Sequence, residues 1–227
     1  MKYYPAVVVD NFYQNPDQVR NFALNQKYYF CSELDTKGFT FPGARSADLA
    51  KINPSLFSSF TEKACSLYHN FKYDDVKFKL SSSFQFVTKD FGKGVIHQDN
   101  KVIFAGVIYL SPYPKKNSGT SLFKKNSKFT LDRYNQSIEK NNAAFRKGNF
   151  IPDTSYHDMF DEFLTANNHY NSLIMYEGDI FHCANDFFGD NLNNSRLAQV
   201  FFVHEISGKD KSAFPVIRNN SVTEKLL

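Results

Sequence analysis

Residues 102–123 read VIFAGVIYLSPYPKKNSGTSLF. Two apolar runs, 102–110 and 120–123, flank a polar segment in which Pro, Asn and Gly recur. Short apolar runs separated by such residues are typical of antiparallel strands joined by turns. The first run is also far shorter than the ~20 apolar residues that cross a bilayer. This stretch therefore predicts β structure and no membrane span.

The same pattern extends over the chain from about Lys77 onward and predicts an all-β sandwich or barrel. The predicted strands are Phe78–Thr88, Val95–Asp99, Val102–Leu110, Thr120–Phe123, Ser172–Tyr176, Ile180–Cys183 and Arg196–Ile206. Residues 124 to about 171 interrupt them with Asn- and Lys-rich sequence and a weak helical pattern at Met159, Phe160, Phe163 and Leu164. We interpret this segment as an insertion or lid on the β core.

The first third of the chain predicts helices around one short strand, residues 6–9. Asn15-Pro16-Asp17 supplies a helix cap, a proline for the first turn and an acidic residue, so a helix is expected to about Lys27. Asn53-Pro54 begins a second helix, predicted through residue 71, because apolar residues then recur at helical spacing. Phe41–Ser46 is interpreted as a turn.

A single domain is expected for residues 1–227. In this interpretation, residues 1–76 give helical support, 77–206 form the β core with the insertion 124–171, and 207–227 form a C-terminal tail. The chain contains 38 aromatic rings, from 25 Phe and 13 Tyr, which is enough apolar material for such a core.

Composition excludes several classes of partner and site. The net charge is only +4 and the lysines are scattered, so nucleic acid is not expected as a partner. Cys31, Cys65 and Cys183 form no CxxC pair, which argues against a disulfide framework or a thiolate zinc site. No signal peptide is evident, and a cytoplasmic, non-membrane protein is expected. The oligomeric state is left open.

The residues that suggest chemistry are His97, Asp99 and His182. On a strand, residues at i and i+2 face the same way, so His97 and Asp99 can bind one ion. His182 follows a predicted hairpin and supplies a third ligand. Two imidazoles and one carboxylate leave coordination positions open, as in non-haem Fe(II) oxygenases. Taken alone, the pair is better explained as an ordinary histidine, His97, followed by an Asp-Asn turn that begins at Asp99, and the metal interpretation depends on His182 and Arg196.

Arg196 lies 14 residues beyond His182 and opens an apolar strand. An arginine at such a position needs a partner, and its planar guanidinium can hold a carboxylate with two parallel hydrogen bonds.

The sequence resembles the Fe(II)- and 2-oxoglutarate-dependent oxygenase superfamily. The order of its residues, His-x-Asp, a distal His and a later basic residue, is similar to that of prolyl hydroxylases. The phrases that carry the resemblance are HQDN, AGVIYLS, SGTSLF, YEGDIFHC, FFGDNLNNSRLAQVFFV and the upstream FPGARS. They span most of the chain from about residue 5 to 206, apart from the insertion.

The resemblance implies a mainly β protein with flanking helices and a double-stranded β-helix core, the jelly roll of cupin-like proteins. It also implies that His97, Asp99 and His182 bind Fe(II), that Arg196 binds the distal carboxylate of 2-oxoglutarate, and that O₂ is consumed. The expected reaction hydroxylates a C–H bond of a peptide or protein side chain, or of a small molecule, and releases succinate and CO₂. Asp99 at the second ligand position favours hydroxylation over halogenation.

Several assignments stay open at this level. Tyr109 is the first choice for a second contact to the 2-oxoglutarate carboxylate, with Gln85, Thr88 and Thr120 as alternatives. Arg45 either binds an acidic group of the substrate or joins a surface ion pair. His204 is expected to be a core or surface residue, and His69, His157 and His169 are expected to be solvated. The rival function is a jelly-roll binding module that keeps the metal without turnover.

Overall fold

Ten strands form the framework of the part of the chain that the computed structural model describes, namely residues 6–34, 39–67, 77–99, 101–148 and 151–207. Their bounds are β1 Ala6–Val9, β2 Tyr28–Phe30, β3 Ala44–Ser46, β4 Lys77–Val87, β5 Phe104–Tyr109, β6 Thr120–Lys125, β7 Phe160–Ala166, β8 Leu173–Glu177, β9 Phe181–Ala184 and β10 Arg196–Ser207. The protein is thus mainly β, as the sequence predicts.

The strands form two antiparallel sheets. The major sheet has the order β1-β8-β5-β10-β4-β3-β2, and the minor sheet the order β7-β6-β9. Leu122 and Ala166 of the minor sheet belong to the same buried apolar cluster as Val107 and Ala198 of the major sheet, so one core lies between the two sheets. This core positions the site described below.

Four helices accompany the strands: α1 Pro16–Leu24, α2 Leu49–Ile52, α3 Pro54–Cys65 and α4 Leu131–Arg146. Pro16 begins α1 as predicted, and the side chain of Asn53 caps α3 by accepting a 3.0 Å hydrogen bond from the Leu56 amide. A second core lies under α1 to α3, where Phe60 packs edge-on against Phe201 of β10 at 5.1 Å between ring centroids. None of the helices in the described residues is both long and apolar enough to cross a membrane.

The strand register decides which residues face the inter-sheet core. Arg45 of β3 is paired with Gln85 of β4, Gln85 with Ala198 of β10, and Ala198 with Tyr109 of β5. Side chains opposite one another in a sheet point to the same face. Tyr109 and Ala198 lie in the inter-sheet core, so Arg45 and Gln85 share that face.

Three sequence predictions need correction. Val95–Asp99 is not a strand; its only pairing is an isolated antiparallel bridge between His97 and His182. The Phe41–Ser46 turn ends in strand β3, because Ala44 and Arg45 pair with β4. Beyond Ser155–Met159, a 3-10 helix, Phe160–Ala166 forms strand β7 rather than the predicted helix.

The segment 124–171 is therefore more than a loop added to a core, since it supplies an edge strand of the minor sheet and the helix α4. The second N-terminal helix ends at Cys65 and not at 71, and residues 68–76 lie outside the described part of the chain. His69 and the tail beyond residue 207 lie outside it as well.

Candidate metal centre

His97, Asp99 and His182 converge on one point. One ligand atom from each side chain lies within 4.8 Å of the other two, and no other group of three or more His, Cys, Asp or Glu in the described residues does so. Asp99 Oδ1 lies 3.7 Å from His97 Nε2, and Asp99 Oδ2 lies 3.4 Å from His182 Nε2. The structure thus brings the three predicted ligands together, although His97 and Asp99 do not lie on a regular strand.

Backbone hydrogen bonds hold the ligand-bearing segments together. The His97 amide donates to the His182 carbonyl at 3.0 Å, and the His182 amide donates back to the His97 carbonyl at 2.9 Å. The Asp99 amide donates to the carbonyl of Gly178 at 2.8 Å. The loop 94–99 is therefore fixed on β9 and on the turn before it, which replaces the ladder that a regular strand would have provided.

Gly94 allows this close approach. A Cβ atom added there would lie 2.2 Å from the carbonyl oxygen of Ala184, a distance at which backbone must move. Gly178 is in the same situation, with 2.3 Å to the Val102 carbonyl oxygen. Glycine is therefore needed at both positions for the ligand loop to lie against β9 and the turn before it.

The two histidines are oriented by their own neighbours. His97 Nδ1 lies 2.7 Å from the Val95 carbonyl oxygen, and His182 Nδ1 lies 2.9 Å from the Ile180 carbonyl oxygen. A carbonyl only accepts, so each Nδ1 carries the proton and donates. Each Nε2 lone pair is then directed at the point where Asp99 also lies, which is the arrangement that orients histidines in metal sites.

Electrostatics favour the forms of these groups that bind metals. Burial and the neighbouring His182 lower the pKa of His97 to about 4 against the attraction of Asp99, although 42% of the His97 side chain is accessible. Burial raises the pKa of Asp99, but the neighbouring His182 and His97 outweigh that effect and lower the pKa to about 2. A carboxylate and a neutral imidazole are the ligand forms required.

Arg196 occupies a second polar position in the inter-sheet core. Its side chain is only 5% exposed, and its Nε donates to the Ser118 carbonyl at 3.1 Å. Its Nη2 lies 3.5 Å from Thr120 Oγ1, and Thr120 Oγ1 lies 2.8 Å from the Tyr109 hydroxyl. In the described residues no carboxylate lies within 4.0 Å of this guanidinium.

Two of the four candidates for a second carboxylate contact therefore accompany Arg196, namely Tyr109 and Thr120. Burial raises the pKa of Tyr109 against the attraction of Arg196, so this phenol stays protonated and can donate. Gln85 instead accepts a 2.9 Å hydrogen bond from Arg45 Nε, and Thr88 donates to the exposed Asp90 at 3.1 Å.

Arg45 lies on the core face of β3 and not in a surface ion pair. Its guanidinium stands over the rings of Phe41 and Phe202, at 4.4 and 5.4 Å from their centroids. Burial lowers the pKa of Arg45 to about 10, and the charge of Asp99 opposes that effect, so Arg45 is within electrostatic reach of the metal ligands and remains charged at neutral pH.

Residues of the 124–171 segment hold the ligand loop, which the sequence did not indicate. The Tyr156 hydroxyl donates to the Ile96 carbonyl at 2.9 Å, and the Ile96 amide donates to His157 Nε2 at 3.4 Å. Tyr134 of α4 hydrogen-bonds to the backbone of Gln98. His157 is half-buried, so the expectation that it is solvated is wrong. The 3-10 segment Ser155–Met159 gives no sequence signal of such contacts.

His204 has no hydrogen bond to His97, Asp99 or His182. Its Nε2 lies 2.8 Å from Ser81 Oγ. This placement matches the expectation of an ordinary core or surface histidine.

The donor set fits a divalent transition metal. Two imidazole nitrogens and one carboxylate oxygen share one side of a common point, and the histidine tautomers are already those of ligands. Hard cations such as Mg²⁺ and Ca²⁺ prefer oxygen ligands, so this set favours iron-like ions over them.

A family model described as "Family of unknown function (DUF6445)" matches residues 2–196. No protein of curated function matches the chain.

Two solved structures of one protein with a similar fold contain a metal, and one of them also contains 2-oxoglutarate. HygX from Streptomyces hygroscopicus with nickel and 2-oxoglutarate bound has a TM-score of 0.54 and 12% identity, over 92% of this chain and 89% of that one. HygX with iron bound has a TM-score of 0.52 and 11% identity, over 95% and 90%. An oxidoreductase of the 2OG-Fe(II) oxygenase family from Burkholderia pseudomallei has a TM-score of 0.45 and 9% identity, over 88% and 84%, which is a distant likeness only. At these identities the likeness concerns the fold.

Proposed function

We propose that this chain, which belongs to the family of unknown function DUF6445, is an Fe(II)- and 2-oxoglutarate-dependent dioxygenase with a double-stranded β-helix core. One observation carries the proposal. His182 of the His97-Asp99-His182 cluster pairs with Leu122 of the inter-sheet core, and Arg196 is buried in that core with no carboxylate partner among the described residues. An unpaired buried charge is costly unless a ligand compensates it.

The residues of the chain divide the binding work between them. His97 Nε2, His182 Nε2 and an Asp99 oxygen hold the metal, and the hydrogen bonds to Val95 and Ile180 fix the rings in place. The remaining coordination positions suit a bidentate co-substrate and O₂. When bound, Fe(II) with 2-oxoglutarate and O₂ supplies the oxidising chemistry, which releases succinate and CO₂ and places one oxygen atom in a substrate C–H bond.

Arg196 orients the co-substrate in this proposal. Its guanidinium faces the distal carboxylate, and the hydroxyls of Tyr109 and Thr120 donate to the same group. The Tyr109–Thr120 hydrogen bond of 2.8 Å places both hydroxyls beside the arginine before any ligand binds. The apolar cluster of the inter-sheet core, including Leu122 and Val200, excludes water from this end of the site.

Succinate formation tests the proposal. The protein is purified without oxygen, supplied with Fe(II), 2-oxoglutarate and then O₂, and succinate is measured with and without a panel of small-molecule and peptide substrates. We expect metal-dependent succinate in wild type and none in His182→Ala. Binding of iron and 2-oxoglutarate without succinate under any condition would indicate the binding module instead.

A further inference from the structure

Arg45 is the one chemically distinctive side chain near the metal centre for which the proposed reaction has no role. Its strand, β3, is the neighbour of β4 in the major sheet, and pairing with Gln85 places Arg45 on the face that carries Tyr109. It therefore approaches the metal ligands from the β4 side of the core, whereas Arg196 lies at the start of β10.

Gln85 fixes the direction of the Arg45 guanidinium. Gln85 Oε1 accepts a 2.9 Å hydrogen bond from Arg45 Nε, and Gln85 Nε2 donates to the Pro42 carbonyl at 2.6 Å. The amide is held at both ends, so its orientation is determined. The described residues contain no hydrogen bond to the two terminal nitrogens of Arg45, and the residue as a whole is only partly buried. Together these nitrogens form a fork that can donate two parallel hydrogen bonds to the carboxylate of a ligand.

The walls of this position are apolar. Phe41 is 2% exposed and stands against the guanidinium at 4.4 Å, and Phe202, on the core side of β10, lies at 5.4 Å. Aromatic rings stabilise the cation through their faces but do not neutralise it. None of the described carboxylates lies within 4.0 Å of Arg45.

On the premise that the proposed function holds, the sum of the charges in the loaded site indicates the charge of the ligand that Arg45 would bind. The metal and Arg196 together carry three positive charges, and Asp99 and the two carboxylates of 2-oxoglutarate carry three negative ones. The loaded site is then neutral apart from Arg45. A further anion is the ligand that completes this part of the core.

The geometry points to Arg45 as the subsite for the carboxylate of an apolar organic acid, which is the substrate class of this site. The fork binds the carboxylate, the partly exposed ring of Phe202 contacts the apolar body, and the acid lies beside the metal ligands. This inference rests on the proposed function and narrows its substrate from peptides and small molecules in general to acids of this kind.

Phenylacetate and its neutral isostere phenylacetamide serve as probes. Protein is loaded with Mn(II), which does not support turnover, and with saturating 2-oxoglutarate, so that the co-substrate position is already filled. Calorimetry measures probe affinity, and paramagnetic relaxation of the probe's ring protons reports closeness to the metal. The variants are Arg45→Gln and Arg45→Lys. Arg146→Gln is the matched control because Arg146 is an exposed arginine in the last turn of α4, away from the segment 155–159 that holds the ligand loop.

We expect phenylacetate to bind wild type and Arg146→Gln equally, with relaxed ring protons, and to bind at least about tenfold more tightly than phenylacetamide. Arg45→Gln should lose that preference, Arg45→Lys should keep part of it, and Mn(II) and 2-oxoglutarate should bind both variants. Equal affinity for the two probes, or no effect of Arg45→Gln, overturns the inference. Loss of 2-oxoglutarate binding in Arg45→Gln would assign Arg45 to the co-substrate and also overturns it. If wild type binds neither Mn(II) nor 2-oxoglutarate, the proposed function fails first, and that result is obtained before any probe is added.

Discussion

The Tyr156 hydroxyl donates a 2.9 Å hydrogen bond to the carbonyl of Ile96, the residue directly before the ligand His97. Tyr156 is fully buried. The backbone amide of Ile96 also donates a hydrogen bond to His157 Nε2 at 3.4 Å. The ligand loop has only one bridge to β9, so these contacts stand in for the missing partner strand. The segment 124–171 thus supports the metal centre from outside the inter-sheet core.

Tyr156→Phe removes this donor and leaves the Ile96 carbonyl unpaired in an apolar setting. We expect a loss of about 1–3 kcal/mol in the free energy of unfolding and a fall in metal affinity of about tenfold, as for groups that support metal ligands. Urea unfolding and Zn(II) titration measure the two effects. Tyr113→Phe is the control, since Tyr113 is 92% exposed, and it should change neither. Unchanged metal affinity in Tyr156→Phe would show that the loop does not depend on this bond.

Gly94→Ala should weaken metal binding through the backbone. Its Cβ would lie 2.2 Å from the Ala184 oxygen and force the ligand loop away from β9. The cost expected for overpacking is about 1–3 kcal/mol. Gly92→Ala is the comparison: its φ is +63° with nothing within 4 Å of the added Cβ, so it should cost stability but leave metal affinity intact. The same metal affinity in both variants would contradict this account.

Arg196→Leu should lose 2-oxoglutarate binding and keep the metal. The guanidinium contacts Ser118 and Thr120 and none of the three ligands, so its loss affects the distal carboxylate alone. Tyr109→Phe should weaken 2-oxoglutarate less, by about tenfold, since one hydroxyl donor is lost. Calorimetric titration with Mn(II) and then with 2-oxoglutarate separates the two events. Equal loss of metal and co-substrate in Arg196→Leu would mean that its role is misassigned.

The histidine tautomers can be observed directly. In protein labelled with ¹⁵N-histidine and loaded with Zn(II), both ligand rings should show a protonated Nδ1 and a metal-bound Nε2, because Val95 and Ile180 offer only carbonyl acceptors to Nδ1. A metal-bound Nδ1 at either His97 or His182 would contradict the geometry. Long-range ¹H–¹⁵N correlation spectra distinguish the two patterns.

The sequence predicted the strands that carry strong apolar runs, with errors of a few residues at their ends. β10 was expected at Arg196–Ile206 and spans Arg196–Ser207, because an apolar run next to a turn has few alternatives. Short or partly polar strands such as β3 and β7 were missed, and they form because neighbouring strands offer hydrogen bonds. Pairing of this kind is a tertiary effect that no local pattern shows.

The grouping of His97, Asp99 and His182 was predictable because the spacing and order of these three residue types are unusual. The residues that support the ligand loop were not predictable. Tyr134, Tyr156 and His157 contact the backbone of the ligand loop, and any aromatic residue of the chain was an equal candidate for that role. Gln85 contacts Arg45, and Thr120 contacts Arg196. These contacts likewise depend on the register of the strands, which the sequence left open.

The most direct test of the central claim is the visible absorption of the protein mixed with Fe(II) and 2-oxoglutarate in the absence of oxygen. We expect a weak charge-transfer band that needs both components. The band should be lost in His97→Ala and Asp99→Ala, and Arg196→Leu should need far more 2-oxoglutarate to produce it. Absence of the band in wild type, or an unchanged band in His97→Ala, would contradict the assignment of the site.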